Sequence, residues 1–98
     1  MALKTKPFDG AEQLDTPERI ALYLEAAFED GDPAVIAAAI GDAARAYGMT
    51  RLAKDTGLAR EALYRALSED GNPEFATVLK VLKVFGLRLS TIEDKDAA

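Results

Sequence analysis

The chain contains no cysteine, no histidine and no tryptophan. Without cysteine there is no disulfide framework and no thiolate metal site. Without histidine, serine–histidine triads, cysteine–histidine pairs and imidazole-bound zinc are excluded too. Carboxylates such as Asp42 and Asp55 would have to carry any catalysis. No paired-acid motif, phosphate-binding glycine loop or metal-ligand spacing frames them. Neither an enzyme nor a bound metal or cofactor is therefore expected. No apolar run approaches the roughly 18 residues that a membrane span needs, and the N-terminus lacks a signal-peptide core. The expected setting is the cytoplasm.

What is present is an ordinary globular composition. Of 98 residues, 49% are hydrophobic and 30% charged, which is too apolar for a disordered chain. The length suits one domain. The net charge of −5 argues at first against a nucleic-acid partner. Its distribution is uneven, however. Residues 1–32 carry eight acidic and three basic side chains. Residues 45–67 carry Arg45, Arg51, Lys54, Arg60 and Arg65 against Asp55 and Glu61. Solvated helix faces would explain such clusters equally well, so charge alone decides nothing.

Residues 1–15 have no sustained period and read as an extended arm, with Leu3, Phe8 and Leu14 as apolar anchors. Thr16-Pro17-Glu18 is a helix start, since threonine caps free N–H groups and proline at the first position loses no bond. Ile20, Tyr23, Leu24, Ala27 and Phe28 follow at helical spacing. Asp30-Gly31-Asp32-Pro33 ends that helix and caps the next, whose stripe is Ile36, Ala39, Ile40, Ala43 and Tyr47. The small residues 37–39 and Gly41 allow a close helix approach. Two short helices are expected at residues 50–56 and about 59–67, broken at Gly57. Residues 68–73 form a loop. A last helix carries Phe75, Val78, Leu79, Leu82 and Phe85 and stops at Gly86. Leu87 and Leu89 suit either a short strand or an interface, and residues 91–98 form a charged tail. The fold class is all-α: five helices over residues 16–90 behind an N-terminal arm.

The functional signal lies in residues 49–68, MTRLAKDTGLAREALYRALS. Ala53, Gly57 and Leu63 have the spacing A-x3-G-x5-L of a helix-turn-helix. A small residue lets the second helix cross closely, and glycine takes the backbone conformation of the tight turn. Leu58, Leu63 and Leu67 would hold the second helix to the core. That leaves Arg60, Glu61, Tyr64, Arg65 and Ser68 on its free face. Arginine can donate two parallel bonds to guanine, worth about 1–3 kcal/mol of discrimination. Tyrosine can bond a phosphate or pack on a thymine methyl. Glu61 either accepts from cytosine or holds Arg65. A plain solvated face with a Glu61–Arg65 pair is the competing reading.

Residues 49–89, with LAKDTGLAREALYRAL, the following NP and TVLKVLKVFGLRL, resemble the lambda-repressor/Cro-type helix-turn-helix superfamily. A closer resemblance runs over residues 2–90. ALKTKPFDGAEQLD, EDGDPAVIAAAIGDAARAYGMTRLAKDTGL and REALYRALSEDGNPEFATVLKVLKVFGLRLS are similar to the addiction-module antidote proteins, the HigA-like antitoxins of bacterial type II toxin–antitoxin operons. The resemblance implies two roles: masking a small RelE-like ribonuclease toxin and repressing the shared operon. By position it implies phosphate contacts for Thr50, Arg51 and Asn72, and major-groove contacts for Arg60, Glu61, Tyr64 and Arg65. Ala59 departs from the pattern, because many relatives place serine or threonine at the start of this helix.

RelE-like toxins are basic, so the acidic N-terminal third is their expected complement. The toxin-binding candidates are Leu3, Phe8 and Leu14 with Asp9, Glu12 and Asp15; an arm folded over its own core is the alternative. One recognition helix is too little surface for tight selection, so a homodimer on palindromic operator DNA is expected. The last helix with Leu87 and Leu89 is the candidate interface. The alternative function is a stand-alone phage-type transcription regulator without a toxin.

Overall fold

Thr16 and Asp32 start the first two helices by the same device. In the computed structural model, which describes residues 14–68 and 70–96, the Thr16 hydroxyl accepts from the Arg19 N–H at 3.1 Å. Asp32 Oδ1 accepts from the Ala34 N–H at 2.9 Å. Each cap precedes a proline, whose missing N–H would have had no helical partner. Helix α1 runs Pro17–Asp30 and α2 runs Pro33–Tyr47. Next come α3 (Met49–Thr56), α4 (Arg60–Ala66) and α5 (Phe75–Val84). Among the described residues there is no strand.

Helix α1 packs on α2, and α3 packs on α2, α4 and α5. The core joins Ile20, Leu24 and Ala27 of α1 to Ala39, Ile40, Ala43 and Ala44 of α2. Leu52, Leu63, Leu67, Val81 and Leu82 complete it from the other side. A polar tie reinforces the α1–α2 contact, with the Tyr23 hydroxyl donating to Asp42 Oδ2 at 2.6 Å. Asp42 also pairs with Arg45.

Gly41 is where closeness matters most. A Cβ there would lie 2.6 Å from the carbonyl oxygen of Leu67, so the end of α4 sits directly on α2. Of the small residues beside it, Ala39 is buried but Ala38 is exposed.

Two apolar expectations are corrected. Phe75 and Leu79 lie on α5, yet Phe75 is 67% exposed and Leu79 40%. Val81 is buried instead, beside the expected Leu82. A stripe through 75, 78, 79 and 82 and one through 78, 81, 82 and 85 both have helical spacing, and the core takes the second. Leu87 and Leu89 form no strand; both pack half-buried against the core. The chain reaches them through a C-terminal cap in which the Leu87 N–H donates to Leu82 O and the Gly86 N–H to Lys83 O, both at 2.9 Å.

Candidate nucleic-acid interface

Helices α3 and α4 are joined by Gly57, Leu58 and Ala59. Gly57 has φ of +78°, the left-handed region that side chains disfavour, and its N–H donates to Ala53 O at 2.9 Å. Thr56 fastens the same turn. Its hydroxyl donates to Leu52 O at 2.8 Å and accepts from the Leu58 N–H at 3.2 Å. Ala59 begins α4 with no side-chain cap.

Leu63 and Leu67 face inward, both buried. Arg60, Glu61, Tyr64, Arg65 and Ser68 are all exposed on the other side of α4, with Tyr64 46% exposed. The Arg60 guanidinium stacks over the Tyr64 ring at 4.9 Å from its centroid and donates to the Tyr64 hydroxyl at 3.2 Å. The two side chains are therefore held together as one cationic unit. No ion pair joins Glu61 to Arg65 among the described residues, so Glu61 does not hold that arginine. The Ser68 hydroxyl donates to Arg65 O at 3.0 Å.

On α3, Thr50 and Arg51 are exposed in the first turn. The Arg51 guanidinium lies over the Tyr47 ring, 4.3 Å from its centroid. Tyr47 in turn donates its hydroxyl to Asp55 and sets its ring edge-on to Phe85, 5.7 Å between centroids. The bond to Asp55 holds the Tyr47 hydroxyl above the usual tyrosine pKa, burial adding to it and Arg51 opposing. Sequence reasoning missed Tyr47 and Asp55 as neighbours of Arg51. The spacing of four and eight residues was a signal, but it crosses the break at Gly48. Asn72 is exposed on the loop after α4. A bond from the Gly71 N–H to Ser68 O at 2.9 Å turns that loop back toward the end of α4.

Of the arm candidates, Leu3, Phe8, Asp9 and Glu12 lie outside the described residues. Leu14 is 5% exposed and belongs to the helical core. Asp15 is exposed and pairs with Arg19 at 3.4 Å. Among the described residues no cluster of acidic side chains could hold a metal ion, and no helix is long and apolar enough to cross a membrane.

The sequence profile of a family described as "probable addiction module antidote protein" matches residues 4–93. The chain belongs to this family. A protein of Haemophilus influenzae strain Rd, described as uncharacterized, is 43% identical over 97 residues, covering 99% of this chain and all of that protein. No solved structure matches. Membership of the antidote family supports an antitoxin role with a toxin partner of some kind. In this chain α4 exposes Arg60 and Arg65 together with Glu61.

Proposed function

We propose that the chain is a HigA-like antitoxin and transcriptional repressor. It binds operator DNA as a homodimer and neutralises a small, basic, RelE-like ribonuclease toxin. The observation that carries the DNA-binding half is the exposed face of α4: Arg60 stacked on Tyr64, with Glu61, Arg65 and Ser68 beside them. In the proposed lambda-repressor/Cro-type arrangement, α3 and α4 form the helix-turn-helix and α4 enters the major groove. Arg60 and Arg65 donate to base edges, while Thr50, Arg51 and Asn72 contact phosphates. Tyr64 bonds a phosphate or packs on a thymine methyl, and Glu61 accepts from cytosine.

Two protomers are needed to read half-sites about 34 Å apart. Phe75 and Leu79, large apolar side chains exposed one turn apart on α5, are the proposed interface on the last helix. Family membership over residues 4–93 supports the toxin-binding half. Leu3, Phe8, Asp9, Glu12 and Asp15 remain its proposed contacts on the arm, rooted at the buried Leu14.

The test is a footprint on the region upstream of the gene. Arg60→Ala and Arg65→Ala are each expected to weaken protection and relax base preference while the chain stays folded. Unaltered footprints from both variants would remove the recognition-helix assignment.

A further inference from the structure

We propose that a groove between α1 and the segment following α5 seats a basic, apolar-anchored polypeptide segment of the toxin; this rests on the antitoxin reading above. The groove has a volume of about 910 Å³. Its apolar surface comes from the half-buried Phe28 of α1 and from Leu87 and Leu89, laid over the buried Leu24 and Leu82. Ile92 stands at its edge, 92% exposed. A large aliphatic side chain left in water beside a ready apolar surface gains most from being covered.

The surroundings specify the occupant. Glu25, Glu29, Glu93 and Asp94 line the same groove and are exposed, against Arg88 as the basic lining residue. This field repels nucleic acid. In a two-fold pair the groove would meet itself, setting Glu25, Glu29, Glu93 and Asp94 against the same four carboxylates of a second copy. A polypeptide carrying lysine or arginine beside apolar side chains satisfies both the floor and the rim. None of the groove residues belongs to α2, α3 or α4. Toxin seated here leaves the exposed face of α4 uncovered by the groove residues themselves.

The probe is the purified protein encoded beside the gene, titrated into the full-length chain. The first variant combines Glu25→Lys with Glu29→Lys; both side chains are exposed, and positive charge near the C-terminal end of a helix does not oppose folding. The second is Ile92→Asp, at a position outside the core. Each is expected to bind the toxin at least about ten-fold more weakly, a loss of about 1.4 kcal/mol, with thermal unfolding and operator affinity unchanged. Wild-type affinity in both variants would overturn the groove and leave the antitoxin reading standing. Failure of the wild-type chain to bind that protein would overturn both.

Discussion

Tyr47 shows how much one side chain can organise without being a contact itself. Its ring carries the Arg51 guanidinium on its face and meets Phe85 edge-on, while its hydroxyl donates to Asp55. The last of these favours the neutral phenol. The folded pKa is therefore raised, and the associated stabilisation is complete below the ordinary tyrosine value of about 10. It is lost as pH climbs through the raised folded value. Phenolate absorbance in an alkaline titration is expected to contain a component with its midpoint above about 10. That component should disappear in Tyr47→Phe and fall toward the ordinary range in Asp55→Ala. A Tyr47 midpoint unaffected by Asp55→Ala would remove the hydrogen bond as its cause. Because Tyr47→Phe keeps the ring under Arg51, it should also leave operator affinity near that of the wild type, whereas Tyr47→Ala should weaken it.

At the scale of the element, two substitutions test how the helices are begun and packed. Ala59→Ser supplies the missing cap of α4, and its hydroxyl can accept from a free N–H of the first turn. A gain of about 1 kcal/mol is expected, seen as a higher melting temperature by roughly 4–8 °C in a domain of this size. Gly41→Ala should act the other way. Alanine is the better helix former by about 1 kcal/mol, but its methyl would press on the rigid carbonyl of Leu67. Overpacking of this kind costs about 1–3 kcal/mol, so a net loss of stability is expected on thermal melting; an unchanged or raised melting point would mean that α4 shifts freely. The same elements mark what was legible in the sequence. Thr16-Pro17, Asp32-Pro33 and Gly57 are local signals, and they place the breaks between helices closely. The buried face of α5 is not local, because either of two overlapping stripes satisfies the helical period until α3 supplies the neighbour. The exposed face of α4 could be read because Leu63 and Leu67 fix its opposite side. The cluster of Tyr47, Arg51 and Asp55 could not, since it forms only when the chain turns at Gly48.

Across the whole molecule, the net charge of −5 would by itself predict repulsion from DNA. Separation of charge offers the way around this. Arg51, Lys54, Arg60 and Arg65 are exposed on α3 and α4, while Glu25, Glu29, Glu93 and Asp94 line the groove by α1. Phosphate binding releases counterions in proportion to the number of phosphates neutralised. If Arg60 and Arg65 are committed to bases, Arg51 and Lys54 remain for phosphates, making four such contacts in a dimer. The logarithm of operator affinity should then fall against the logarithm of salt concentration with a slope of about −3 to −4. Arg51→Ala, which removes one contact from each protomer, should bring the slope to about −2 and weaken binding to all sequences alike. Arg65→Ala should instead weaken the operator more than unrelated duplex, leaving the slope nearly unchanged. Fluorescence anisotropy with operator and scrambled duplexes over a salt series separates these outcomes. A slope near zero in the wild-type chain would leave α4 an ordinary solvated face, and its stacked Arg60 and Tyr64 only a surface contact.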